Sequence, residues 1–338
     1  MILRMMAALL ISLGISLGVG PWLIARLNKL HFGTVIYDLG PAHQQKQGTP
    51  VMGGLMIALG VVCCQIALHP LPWRGGWDPG LGLLAVSLLS MAVGFADDWI
   101  KAVKKRHEGL TPWQKIAGQV IVAVGFSCWC YFHPEIGSRI QVPFLHTEWD
   151  LGFWYLPVMT LLVIFYVNST NLQDGLDGLL GTISVITSAA WTLVILLAVS
   201  AGADRQALAP AGIFALSLMG GCAGYLRFNR YPAKVFMGDT GSMFLGGATV
   251  GLAMVTRQPL LLILIGICPI LSSVSVILQR YYFKLTRRFS ADHQGRRLFR
   301  MSPIHHHFEK KGYSETQIVS MYAGITSIAG MIALLSLL

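Results

Sequence analysis

The chain has 338 residues, of which 54% are hydrophobic and only 12% charged, with a mean hydropathy of +0.61. That balance excludes a soluble protein of this length, and the long apolar runs point to one polytopic membrane bundle, because each needs about 20 residues to cross about 30 Å of hydrocarbon. The net charge of +10 reads as positive-inside topology and attraction to anionic lipid, with a share for an anionic substrate, and not as nucleic-acid binding.

In chain order, hydropathy predicts membrane spans near 2–25, 51–69, 81–97, 114–132, 153–171, 179–200, 208–226, 242–256, 259–283 and 316–337. The N-terminal segment is expected to be the first span rather than a cleaved leader, since it lacks a small-residue cleavage site. Between the fourth and fifth spans, Ser138–Phe144 and Trp149–Leu151 suggest a small β-hairpin. The eighth span is short and glycine-rich, the weakest of the ten. Lys and Arg divide 20 to 5 between the two sets of connections, so the first set is assigned to the cytoplasm and both termini to the outside. The expected fold is an all-α integral membrane protein of about ten transmembrane helices. Residues 1–338 then form a single domain with its working face toward the cytoplasm and a periplasmic hairpin. Cys63, Cys64, Cys128, Cys130, Cys222 and Cys268 all lie in apolar spans, form no metal-ligand pattern and read as small hydrophobes.

Five of the ten aspartates fall in three short motifs at the predicted cytoplasmic ends of spans. Ionised carboxylates at the edge of hydrocarbon are costly, so several gathered there imply a shared partner such as a metal ion or a phosphate. Asp97 and Asp98 end the third span. Adjacent helical residues diverge by about 100°, so either one faces the site and the other supports it, or the helix stops there. The plain alternative, a polar stop, opposes the helix dipole. Lys101, one turn on, could anchor a phosphate or pair with either acid.

Asp174 and Asp177 are spaced i, i+3 on one helical face, with Asn171 a turn earlier and Gly175 admitting close approach. Helix capping would account for one of these acids and not for both. Asp239, in Gly238-Asp239-Thr240-Gly241-Ser242, could be an N-cap, but it is also placed to hold Mg²⁺. His305, His306 and His307 occupy the last cytoplasmic loop. Consecutive residues cannot all face one ion on a regular helix, so imidazoles hydrogen-bonding a diphosphate or sugar fit better than a zinc site. Lys46, before Gly48-Thr49-Pro50-Val51-Met52-Gly53-Gly54, suits a phosphate-side loop but is weak in isolation.

Taken in order, these strings resemble the bacterial phospho-N-acetylmuramoyl-pentapeptide-transferases, within the polyprenyl-phosphate N-acetylhexosamine-1-phosphate transferases. The similarity runs from about Lys46 to Gly312, and the Ser302–Glu309 string is characteristic of the muramoyl-pentapeptide branch. The resemblance implies transfer of phospho-MurNAc-pentapeptide from UDP-MurNAc-pentapeptide to undecaprenyl phosphate, giving lipid I and UMP with Mg²⁺. It also implies a homodimer in the bacterial inner membrane. By motif, Asp239 matches the magnesium ligand, and Asp97 and Asp98 match the acids assigned to the polyprenyl phosphate. Asn171, Asp174, Gly175 and Asp177 match the loop meeting the uridine-diphosphate end. Phe236 matches an aromatic near uracil, and Asn229, Lys101, Lys46 and His305 to His307 match further site positions. Val51 departs from the family's usual threonine and Trp99 from its usual tyrosine. The sequence leaves direct attack and a covalent intermediate both open, with direct attack favoured. A polyprenyl-phosphate N-acetylglucosamine-1-phosphate transferase is the nearest alternative, and a cation-coupled transporter is a distant one.

Overall fold

The computed structural model describes residues 1–30, 48–70, 77–104, 108–289 and 294–338. The long helices are α1 (Ile2–Lys29), α2 (Gly54–Leu68), α3 (Pro79–Lys104), α4 (Pro112–Phe132), α5 (Tyr155–Gln173), α6 (Leu179–Ser200), α7 (Arg205–Asn229) and α8 (Gly238–Val255). A single turn α9 (Leu262–Ile265), α10 (Ile267–Phe289), the short α11 (Ile304–Glu309) and α12 (Glu315–Leu335) complete the chain. A helix occupies each of the ten predicted intervals. Seven segments are long and apolar enough to cross a membrane: α1, α3, α4, α5 with its preceding 3₁₀ turn, α6, α7 and α12.

The remaining helices depart from that standard for physical reasons. Every residue of α8 from Thr240 to Val255 is buried, so this helix meets protein rather than lipid and tolerates glycine, threonine and serine where lipid would demand leucine. The ninth interval is broken: α9 and α10 are separated by Gly266, where a Cβ would press against the ring of Tyr166 from α5. Beyond the break, α10 runs on past position 283 and ends in the basic pair Arg287 and Arg288 beside exposed Leu285 and Phe289.

Small residues set how closely the central helices approach, as packing between apolar helices requires. A Cβ at Gly224 of α7 would meet Ser16 of α1 at 2.6 Å, and one at Gly220 would overlap the Leu9 carbonyl. On α3, a Cβ at Gly94 would overlap the Asp239 carbonyl, so the start of α8 lies directly against α3 one turn before Asp97 and Asp98. The hairpin forms as expected: β1 (Arg139–Val142) pairs antiparallel with β2 (Thr147–Asp150), with Arg139 opposite Asp150. Arg257, after α8, braces it through Glu148 at 2.9 Å and through the Gln141 amide, which donates to the Arg257 carbonyl.

Candidate active site

Three carboxylates meet where α3 and α8 cross. Ligand atoms of Asp97, Asp98 and Asp239 lie within 4.8 Å of one another, the only such grouping of metal-ligating side chains among the described residues. The helix does not stop at Asp98 but continues to Lys104, so the two adjacent acids take different partners. Asp97 accepts from the Leu110 amide at 2.9 Å and pairs with Lys101 at 2.5 Å. Asp98 accepts from both the amide and the hydroxyl of Thr240, at 2.9 and 2.6 Å. Both carboxylates are buried, and Asp98 is in effect held by the opening turn of α8.

Asp239 sits in that same opening turn, where the helix dipole favours an anion. Its Oδ2 lies 2.8 Å from Lys115 Nζ and 3.3 Å from Lys101 Nζ. Its Oδ1 accepts from Asn171 Nδ2 at 2.7 Å, and the same amide group donates to Ser242 Oγ at 2.9 Å. The sequence placed Asn171 with the nucleotide loop; in the fold it is the last turn of α5 reaching across to the acidic centre. Three acids and two lysines thus share one polar pocket, an arrangement with directed charge for both a divalent cation and phosphate oxygens.

The second half of the site is the loop between α5 and α6. Asn229 joins it to the segment after α7, accepting from the Gly178 amide at 3.0 Å and donating to the Val235 carbonyl at 2.9 Å. Asp177 accepts from the Ala233 amide at 2.9 Å. Gly178 has a φ of +75°, which a side chain would strain. Asp174 caps the end of α5, and its carboxyl is pushed up to about 8, by desolvation first and then by the carboxylates of Asp239, Asp98 and Asp177.

The histidines divide. His305 is fully buried and its ring lies against Gly175, where any Cβ would collide with Nε2. Neither of its ring nitrogens has a hydrogen-bond partner, and burial pulls it down to about 3, so it is neutral. His306 packs beside it, ring centroids 4.4 Å apart, with Nδ1 2.9 Å from Glu309 Oε2. His307 turns to its own loop instead: its Nδ1 accepts from the Arg300 amide at 3.0 Å and its ring meets Phe299 edge-on. Ile304 and Phe308 seat this short helix on Leu176, Leu179, Ile318 and Tyr322, which brings the histidine run to the α5–α6 loop.

Phe236 is half-buried; its amide donates to the Pro50 carbonyl and its carbonyl accepts from the Gly53 amide, both at 2.8 Å. This places the segment around Val51 beside the site, with Val51 Cγ1 only 2.6 Å from where a Gly238 Cβ would stand. Trp99 is exposed on α3 and stacks on Phe95 at 5.7 Å. Lys46 lies outside the described residues. All six cysteines are free.

The sequence reading missed Lys115, Thr240 and Ser242 as site residues. A signal existed for the first. Thr111 and Gln114 form a capping box with Pro112 at the helix start, so Lys115 is fixed in the first turn of α4.

The chain is similar to known proteins over its whole length. The family model described as Glycosyl transferase family 4 matches residues 80–257, which span both the acidic cluster and the α5–α6 loop. A phospho-N-acetylmuramoyl-pentapeptide-transferase of Heliobacterium modesticaldum is 39% identical over 334 residues, covering 98% of this chain and 97% of the relative. Proteins of the same name from Solidesulfovibrio magneticus and a Thermoanaerobacter species are 40% and 39% identical, covering 99% and 100% of this chain and 92% and 100% of their own lengths. The chain belongs to the phospho-N-acetylmuramoyl-pentapeptide-transferase family, within glycosyl transferase family 4.

Proposed function

We propose that this protein transfers phospho-MurNAc-pentapeptide from UDP-MurNAc-pentapeptide to undecaprenyl phosphate, giving undecaprenyl-diphospho-MurNAc-pentapeptide (lipid I) and UMP. The observation that carries the reading is the meeting of Asp97, Asp98 and Asp239 with two lysines at the ends of apolar helices, in a chain related over its full length to enzymes of that name.

The donor set fits Mg²⁺, which takes oxygen ligands and commonly one or two carboxylates, leaving room for phosphate oxygens. Asp239 is the primary ligand in this reading, with Asp97 and Asp98 beside it. The ion supplies neutralisation of the diphosphate's charge. Lys101 and Lys115 add fixed positive charge at the same place, and Asn171 holds Asp239 in orientation. An oxygen of the lipid phosphate attacks the phosphorus attached to the sugar; the bond to the UMP oxygen breaks and UMP leaves with that electron pair. A phosphate monoester has its second pKa near about 6, so the nucleophile is already largely ionised and direct attack needs no strong base. Asp97 and Asp98 then position it. Trapping a radiolabelled phospho-sugar on the protein without lipid acceptor would contradict direct attack.

The nucleotide end is assigned to the α5–α6 loop, with Asp174, Gly175, Asp177, Asn229, Phe236 and Lys46, and the histidine run to the diphosphate or sugar. An apolar cavity of about 730 Å³ between α5 and the α9–α10 break, lined by Leu161, Phe165, Leu172, Leu260 and Ile277, offers a route for the lipid chain, since Leu172 adjoins Asn171. The wider arrangement adds α2, α8 and the α9–α10 pair to the seven apolar segments, giving ten spans in a single domain. Both termini then face outward, the site faces the cytoplasm at the inner membrane, and the hairpin is periplasmic. A homodimer is proposed on the family resemblance. Extraction of labelled phospho-MurNAc-pentapeptide into the lipid phase tests the reaction; label transfer from UDP-N-acetylglucosamine alone would establish the sister activity instead.

A further inference from the structure

The loop from Asp174 to Gly178 is gripped by two helices. Asn229 of α7 holds the Gly178 amide, and Glu315 Oε2 accepts from the adjacent Asp177 amide at 2.9 Å. Glu315 is the first residue of α12, directly after the N-cap Ser314 and inside the Ser314–Gln317 capping box that fixes where this helix starts. One turn further, buried Ile318 and then Tyr322 pack against Leu176 of the loop and Leu179 at the start of α6, and Ile304 and Phe308 of the histidine helix join the same cluster. A carboxylate on a backbone amide is a charge-assisted bond, stronger than a neutral pair and directional. Asp177 is in turn fixed at its side chain by the Ala233 amide, so the Glu315 contact sets the Leu176–Asp177 peptide plane, and Asn229 sets the next one, which leads into the left-handed Gly178.

We propose that Glu315 is a positioning residue that holds the Asp174–Gly178 loop in the conformation that receives the nucleotide end of the sugar donor. It touches no reacting atom; it acts through the Asp177 backbone and the shared apolar cluster. The inference rests on the assignment of this loop to the nucleotide side. Its effect therefore belongs on the nucleotide substrate and not on the lipid phosphate, whose acids Asp97 and Asp98 are held by Lys101, Leu110 and Thr240 instead.

The test is steady-state kinetics of UMP release by the detergent-solubilised full-length enzyme, with each substrate varied in turn. Glu315→Ala is expected to raise KM for UDP-MurNAc-pentapeptide roughly tenfold, the size expected for losing one hydrogen bond to a charged group. KM for undecaprenyl phosphate stays within about twofold of wild type. Glu315→Gln keeps an acceptor oxygen and should return KM to within about threefold. If Glu315→Ala does not accumulate as folded protein, Glu315→Asp, which withdraws the carboxylate by one methylene, is read for the same split. An unchanged nucleotide KM, an equal rise for both substrates, or a Gln variant as impaired as Ala would each overturn the assignment. The wild-type reaction, measured alongside, reports separately whether the enzyme uses this donor at all.

Discussion

Lys115 Nζ lies 2.8 Å from Asp239 Oδ2, so a cation from the first turn of α4 rests on the carboxylate that opens α8. With Lys101, 3.3 Å from the same oxygen, it places fixed positive charge on Asp239. Replacing Lys115 with Met should lower kcat at least tenfold and shift the Mg²⁺ concentration for half-maximal rate, while Lys115→Arg retains part of the activity. A Lys115→Met enzyme with wild-type metal dependence would separate the lysine from the metal site.

Asp239→Ala should nearly abolish turnover, by at least about a hundredfold, the scale seen for removing a group that stabilises transition-state charge. It should also weaken activation by Mg²⁺ in the residual activity. Wild-type-like rates would take Asp239 out of the site.

His306 and Glu309 form a pair at 2.9 Å. In that pair Nδ1 faces the carboxylate, and Nε2 lies toward Gly175. His306→Ala is expected to impair catalysis or donor use with the protein still folded, and Glu309→Gln to impair it less. His307→Ala should act on loop stability through Arg300 instead, with a smaller loss of rate. Equal losses at 306 and 307 would contradict this division.

His305 gives a pH dependence of defined sign. Its folded-state pKa of about 3 is below the ordinary value of 6.5, so the unfolded chain binds the extra proton between the two. Stability from this group is intact above about pH 6.5 and is lost as pH falls toward 3, with a slope approaching about 1.4 kcal/mol per pH unit. Thermal unfolding of detergent-solubilised protein between pH 7 and pH 5 should fall more steeply in the wild type than in His305→Asn. Parallel curves would show that His305 does not bear this linkage.

Gly94→Ala places a methyl group into the Asp239 carbonyl. The expected result is loss of activity with a destabilisation of about 1–3 kcal/mol, the usual cost of overfilling a packed contact. Gly125, whose Cβ would meet nothing within 4 Å, is the matched control on α4 and should tolerate alanine.

Much of this was legible in the chain because hydrophobic length and short polar motifs are local properties. The hairpin, the helices and the gathering of Asp97, Asp98 and Asp239 needed only apolar runs and the cost of buried charge. The eighth span looked weak because hydropathy measures preference for lipid, while α8 is enclosed by protein along its whole length. The break at Gly266 depends on the Tyr166 ring of another helix, which no local pattern encodes. The same holds for Glu315, whose partner amide lies 138 residues away, and for Lys115 on Asp239, 124 residues apart. His305 and His306 could not be told from His307 by type alone. Only their rotation on one short helix sends two toward Gly175 and the third to Arg300.

The most direct measurement is UMP release by purified protein given UDP-MurNAc-pentapeptide, with and without undecaprenyl phosphate and Mg²⁺. UMP forming only when all three are present, together with lipid-linked product in equal amount, is the predicted result. Release with UDP-N-acetylglucosamine but not with the muramoyl-pentapeptide donor, or uptake into proteoliposomes without any UMP, would contradict the account.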